Sequence, residues 1–187
     1  MYEAKNFTHL LGMNGMSETL LNNHFTLYQG YVTNTNKLID LMKEKMAGTP
    51  EFAELRRRFG WEFSGMRMHE IYFEGMSKDG TRLGLKSTSL IEKDFGGLEN
   101  FKKELTALGT MRGIGWVVWV QDITKPEGKT FLHWIGEHEV GQLPDTKILL
   151  AMDVWEHAYI TDYGIKRADY ITAYTGVINW DAVESRI

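Results

Sequence analysis

Lys147 to Tyr159 reads KILLAMDVWEHAY. Ile148 to Met152 is a continuous apolar run with no alternation, the pattern of a short strand buried on both faces. Asp153 closes the run, and His157 follows four positions later on the turn beyond it. A carboxylate at a buried strand end needs a cation or hydrogen-bond donors, because burying it unpaired costs several kcal/mol. A metal ion would satisfy Asp153 and His157 together. Taken alone, D-x-x-x-H also fits an Asp that caps a helix start beside a histidine packed on the core, which is the commoner use of such a pair.

Working outward, the period changes along the chain. Ser17 can cap a long helical pattern from about Glu18 to Lys45, with Leu20, Leu21, His24, Leu27, Tyr28, Tyr31 and Leu38 on one side. AGTPE ends it, and Thr49 with Pro50 forms the N-cap and first position of the next helix. That helix is expected to stop near Gly60, with a third from Trp61 to about Met76. Short helices are expected within LIEKDFGG and from Leu98 to Leu108. GWVVWVQDI and TFLHWIGEH, joined by the turn TKPEGK, read as paired strands, and KILLAM as a third. The tail RADYITAYTGVINWDAVESRI reads as helix broken near Gly176. Helices first, then a small antiparallel sheet with helices around it, make an α+β fold.

The 187 residues suit one domain or two small lobes on a shared core. The absence of cysteine excludes disulfides, zinc–thiolate sites and cysteine nucleophiles, so any metal here is held by His and carboxylate. A net charge of −4 with no long basic block argues against a nucleic-acid partner. No apolar run reaches the roughly 18 residues needed to span a bilayer. MYEAKNFTHLLGMNGM has neither a basic segment nor a long apolar one, so no secretory signal is expected and the expected location is the cytoplasm.

Two more histidines have suitable surroundings. His24 carries Tyr28 and Tyr31 at i+4 and i+7, and His69 carries Tyr72 and Phe73 at i+3 and i+4, so aromatic rings flank each imidazole. HEIYF lacks the second histidine of a zincin helix. Three histidines and one aspartate converging on one site would suit iron or manganese.

These words resemble a known family. DVWEHAY resembles the signature of the iron/manganese superoxide dismutases. GIGWVVWV at 113–120 resembles their G-S-G-W strand, and ADYITAYTGVINWD at 168–181 their P-D-Y…V-N-W-D tail. YVTNTNKLI at 31–39 resembles their first-helix Y-V-x-N-x-N, and MHEIYFEGM at 68–76 stands in the place of their N-H-x-x-F/Y-W helix. The resemblance implies an N-terminal helical hairpin domain over 1–84, a C-terminal α/β domain with a three-stranded antiparallel sheet over 85–187, and one iron or manganese ion between them. It implies His24, His69, Asp153 and His157 as ligands. The family's first ligand commonly lies eight residues before the Tyr of Y-V-x-N; here that position is Asn23, and His24 lies seven before Tyr31. Asn is a poor substitute for a ligating imidazole, so a one-residue deletion, with the π-bulges that such helices use at functional sites, favours His24 over Asn23.

Further roles follow from the same resemblance. Trp116 and Trp155 match aromatic walls of the metal pocket, and Tyr31 matches the tyrosine at the substrate entrance. Glu156 matches the acid that reaches the ligand histidine of the other subunit in a homodimer or homotetramer. The family's dimer-spanning His–Tyr bond is replaced at both ends, by Leu27 (followed by Tyr28) and by Ile160. A hydrogen-bond donor to solvent on the metal is expected from His138, in the sheet-borne position, because Gly65 occupies the helix-borne one and leaves space there. His9 and His133 receive no role, and Lys166 or Arg167 could steer an anion. The implied activity is disproportionation of superoxide to oxygen and hydrogen peroxide. The alternatives are another mononuclear non-haem iron enzyme and a catalytically inactive metal-binding or structural homologue.

Overall fold

The computed structural model describes residues 1–187. Two long antiparallel helices come first, α1 (Glu18–Glu44) and α2 (Pro50–Glu74). Ser17 caps α1 by accepting from the Leu20 amide at 3.1 Å, and Thr49 caps α2 by accepting from the Phe52 amide at 3.2 Å, with Pro50 in the first turn. α1 is a regular α-helix throughout and contains no π-bulge. α2 is likewise continuous, so the break expected at Gly60 does not occur. A lone glycine costs a helix only about 1 kcal/mol. The Glu139 carboxylate packs against the bare face of Gly60, and the helix runs on through it.

Helices α3 (Leu85–Phe95) and α4 (Leu98–Gly109) lead into strands β1 (Gly115–Asp122), β2 (Thr130–Gly136) and β3 (Thr146–Asp153). α3 begins five residues before the LIEKDFGG segment that marks its end, because Leu85 to Ser89 are already helical. The sheet is antiparallel in the order β2-β1-β3. A 3₁₀ turn (Glu156–Ala158), a short α5 (Ile160–Tyr163), α6 (Arg167–Gly176) and α7 (Trp180–Arg186) complete the chain. The result is α+β, with the sheet as a middle layer. Trp116 of β1 meets His69 of α2 on one face, while Trp119 packs against Phe101 of α4 and Trp180 of α7 on the other. One continuous apolar core runs through both layers, from Phe7 and Leu20 to Trp119 and Val183. No helix is long and apolar enough to cross a membrane.

Two features position the site. At the β1–β2 end, Gly115 adopts φ +149°, and a Cβ there would lie 2.0 Å from the Ile135 carbonyl oxygen. Only glycine permits this approach. The strand then turns at Glu137, which takes a left-handed φ of 52°, and His138 swings inward to full burial. At the other edge, β3 presents carbonyls that β1 does not use. Tyr170 and Tyr174 of α6 donate to the carbonyls of Asp153 and Ala151 at 2.7 and 2.8 Å, and Arg186 of α7 donates to that of Leu149 at 2.9 Å. All three acceptors would otherwise be unpaired.

Tyr170→Phe and Tyr174→Phe should each destabilise the protein by about 1–3 kcal/mol, the cost of a buried acceptor left unmade. Denaturant unfolding measures this; a neutral double variant would show that the tyrosine hydroxyls do not hold β3.

Candidate metal centre

Asp153 ends β3 in register with Trp116 of β1, which brings its carboxylate beneath the helical hairpin. Its Oδ1 accepts from the Trp155 amide at 2.8 Å, which turns the chain sharply and folds His157 back over the strand end. Asp153 Oδ2 then faces three imidazoles. His157 Nε2 lies 3.2 Å away, His24 Nε2 3.3 Å and His69 Nε2 3.7 Å. The four ligating atoms fall within 4.8 Å of one another. His24, His69 and Asp153 are buried, and His157 is partly exposed. Asn23, one position from His24, is exposed on the opposite side of α1.

The donor set fits a metal ion. His69 Nδ1 lies 2.6 Å from the Gly65 carbonyl, which can only accept, so Nδ1 carries the proton and Nε2 turns a lone pair inward. That lone pair faces a carboxylate oxygen 3.7 Å away, a repulsive arrangement that a cation bound to both would relieve. His69 Nε2 and both nitrogens of His24 have no hydrogen-bond partner although they are buried. Burial pushes the His24 and His69 imidazoles down, with the neighbouring histidines adding to the effect, so both stay neutral and able to ligate. Burial alone would push the Asp153 carboxyl up, but the His157 and His24 imidazoles hold it far below the usual carboxylate range.

Around this cluster stands an aromatic wall. Trp116 meets His69 edge-on at 5.0 Å, Phe73 meets His24 at 4.9 Å, and Trp155 stacks on both His138 and His157. Trp61 was not singled out by sequence reading, yet it packs on His138 at 5.2 Å and on Trp155 at 5.9 Å. Its position two helical turns before His69, on the same face of α2, is the signal that marks it. Glu70 was also passed over. It is buried beside His69, where it accepts from Tyr28 Oη at 3.0 Å and from Arg67 at 2.6 Å.

His138 is placed differently from a donor aimed at the cluster. Trp116 Nε1 donates to its Nδ1 at 3.1 Å, so the proton of the neutral ring sits on Nε2, and Nε2 lies 2.6 Å from Tyr31 Oη. Burial lowers the pKa of His138 to about 4, which keeps the ring neutral. Its one proton is therefore given to Tyr31, and the Tyr31 hydroxyl is left free to donate onward. The space expected at Gly65 is filled, since a Cβ there would lie 2.6 Å from Cδ1 of Tyr31, whose ring lies flat against the glycine. Glu156 is exposed with no partner, His133 Nε2 meets the Gly141 carbonyl at 2.7 Å, and His9 is exposed. Arg167 donates to Tyr159 Oη and to the carbonyls of Met111 and Gly113, so it braces a loop instead of standing free.

Comparison with known proteins agrees with this geometry. Residues 84–186 match the family model described as iron/manganese superoxide dismutases, C-terminal domain. A superoxide dismutase [Fe] of Pyrobaculum aerophilum is 31% identical over 177 residues, covering 91% of this chain and 83% of the relative. One from Cupriavidus metallidurans is 32% identical over 180 residues, covering 93% and 89%. A superoxide dismutase [Mn/Fe] of Aeropyrum pernix is 30% identical over 178 residues, covering 92% and 82%. A helical hairpin over an antiparallel sheet, enclosing a three-histidine, one-aspartate centre, is a metalloenzyme architecture. The chain belongs to the iron/manganese superoxide dismutase family.

His24→Ala and Asp153→Ala should each lose most of the bound iron or manganese, because each removes one of four donors, whereas Asn23→Ala should keep it. Metal per chain, measured after purification, checks this; full retention in His24→Ala together with loss in Asn23→Ala would reverse the assignment.

Proposed function

We propose that this chain disproportionates superoxide at a single iron or manganese ion held by His24, His69, Asp153 and His157. The observation that carries this reading is the set of three Nε2 atoms aimed at one buried oxygen of Asp153. The division into a helical domain over 1–84 and an α/β domain over 85–187 goes with it, and the family match beginning at residue 84 supports that boundary. When bound, the ion supplies alternate one-electron oxidation and reduction, which turns two superoxide anions and two protons into one oxygen and one hydrogen peroxide. The protein contributes three neutral imidazoles and one carboxylate. This single negative charge is smaller than that of either metal oxidation state, so the pocket keeps a net attraction for an anion.

Tyr31 and His138 are the proposed catalytic pair. Burial, and after it the nearby Asp153 charge, push the Tyr31 hydroxyl well above its ordinary range, so it keeps its proton. His138 Nε2–H donates to Tyr31 Oη, which orients the hydroxyl and leaves its proton for transfer toward the centre. Trp116 fixes the His138 tautomer, and Trp116 and Trp155 exclude bulk water from the cluster. Outside Tyr31 the surface recess measures about 280 Å³. The aromatic wall packed directly on the cluster, more than the size of this recess, leaves little room beside the four donors for the larger organic substrates of other non-haem iron enzymes. The complete donor set and the ordered Tyr31–His138 pair favour activity over a catalytically inactive homologue.

The proposal includes a homodimeric or homotetrameric assembly and a cytoplasmic location. Glu156 is exposed and unpartnered beside the partly exposed His157, and Leu27 and Ile160 expose apolar side chains near this turn. Across a two-fold axis, Glu156 of one copy would reach His157 of the other, and apolar contact would replace the His–Tyr bond of the family.

The direct test is superoxide dismutation by protein loaded separately with iron and with manganese. Inactivity with both metals bound would refute the function. His138→Ala should keep its metal but lose about 10–100-fold in turnover, as outer-shell substitutions do. Gly65→Gln should lower activity, because it displaces the Tyr31 ring; enhanced activity would show that the ring is not needed there. Glu156→Ala should weaken assembly about tenfold or more, the loss of a hydrogen bond to a charged group. Sedimentation over a dilution series measures this, and a fully active native monomer would remove the interface from the proposal.

A further inference from the structure

Arg167 is spent on backbone carbonyls, so the cation nearest the Tyr31 entrance is another residue. The recess outside Tyr31 is lined by Asn34, Arg58, Trp61 and Glu62. Arg58 lies with its guanidinium 5.1 Å from the Trp61 ring centroid, and Trp61 in turn packs on His138. Arg58 Nε and Nη2 both donate to Glu62 Oε1, at 2.8 and 2.6 Å. Asn34 donates to Glu62 Oε2 at 3.3 Å.

An i, i+4 pair on a helix is usually a solvated surface contact worth a few tenths of a kcal/mol. This pair differs in two ways. The Glu62 side chain is only 3% exposed while that of Arg58 is 51% exposed, so a buried acid holds a half-exposed cation. The guanidinium also lies over an aromatic ring at the site mouth instead of extending into solvent. Two of its nitrogens are committed to Glu62, and Nη1 has no partner and remains available to the recess. A half-exposed cation with a free N–H at the mouth offers a small anion both charge and a donor. Glu62 offsets part of the Arg58 charge, and Glu139, packed against Gly60, lies near the same stretch of α2. Lys37 lines the adjoining groove that shares Asn34, Arg58 and Glu62 with the recess and offsets the second acid, so the buried Glu62 leaves the half-exposed guanidinium as the charge presented at the mouth.

We propose that Arg58, locked over Trp61 by Glu62, is the residue that receives the small anionic substrate at the mouth and passes it to Tyr31. This rests on the superoxide reading, and its test is arranged to fail separately. The rate constant kcat/KM would be measured against ionic strength, at equal metal content, for wild type, Arg58→Lys, Arg58→Gln, Arg58→Glu and, as a charge control on the distant β1–β2 turn, Lys129→Glu. At low salt, Arg58→Glu should fall about tenfold and Arg58→Gln about threefold, as loss of a steering charge predicts. Arg58→Lys should stay within about twofold of wild type, and the differences should close toward 1 M salt, where the Debye length is about 3 Å. An equal effect from Lys129→Glu, or wild-type rate and salt slope in Arg58→Glu, overturns the inference. If Arg58→Glu fails to fold, the neutral and lysine variants decide by the same criteria.

A second measurement needs no turnover. Iodide quenching of tryptophan fluorescence, compared with the neutral quencher acrylamide and with a Trp61→Phe control, reads anion access at the mouth. Arg58→Gln should reduce iodide quenching of the Trp61 component and leave acrylamide quenching unchanged. Unchanged iodide quenching overturns the inference, whereas a metal-loaded wild type that does not dismutate superoxide overturns the functional reading.

Discussion

One oxygen atom, Asp153 Oδ2, sets the terms for the rest of the molecule. It is fully buried and charged, and three imidazole nitrogens face it at 3.2–3.7 Å. Neutral imidazoles carry one proton each, and His69 has already given its proton to the Gly65 carbonyl. His157 can donate to this oxygen, but the lone pair of His69 Nε2 and the buried nitrogens of His24 stay without partners, and a cation at the centre would satisfy them together with the carboxylate. The surrounding elements hold this arrangement in place. β1 and β3 fix the carboxylate in register with Trp116, the Asp153–Trp155 turn returns His157, and the two long helices deliver His24 and His69 from above. An isolated buried charge would cost several kcal/mol, so such a fold is retained only where something repays that cost.

Around this point the protein solves a second problem, that of keeping one proton in a known place. Trp116 can only donate, so it dictates the tautomer of His138, and His138 in turn dictates which way Tyr31 is held. Gly65 contributes by having no side chain. Its carbonyl takes the His69 proton and its bare face receives the Tyr31 ring, so one residue aligns a ligand and a proton donor together. Trp116 and His138 are fully buried and Tyr31 is half-buried at the recess, so the chain of donors runs from the core to the mouth.

Much of this was legible in the sequence. The change from helical to strand periodicity after residue 110, the caps at Ser17 and Thr49, and the unbroken KILLAM run mark the architecture, because each is a local signal with a local cause. The four donors were readable from residue type and from the resemblance of DVWEHAY and its neighbours. What was not legible depends on distance. Gly60 suggested a helix end because local propensity cannot register Glu139 packing against it across the fold. Gly65 suggested open space because no sequence pattern places Tyr31 on it. Trp61 entered only as the expected start of a helix, and Arg58 is one of three adjacent arginines that sequence alone does not tell apart. The π-bulge expected in α1 is absent, since a helix one residue shorter presents His24 and Tyr31 seven positions apart on one face without it.

The two margins of the sheet carry a consequence for how copies of the molecule can meet. Along β3, hydroxyls from α6 and the guanidinium of Arg186 occupy the carbonyls that another strand would use. Along β2, Asp94 accepts from the Thr130 amide at 2.7 Å at one end, and the Gly136–Val140 bridge closes the other. An open strand edge is the usual template for runaway polymerisation, and apolar strands such as GWVVWV and KILLAM would be potent ones if they were reachable. Here their backbones offer no foothold. A second copy approaching the β3 margin would therefore meet side-chain surfaces, which can close on a symmetry axis, and not a free strand edge, which cannot.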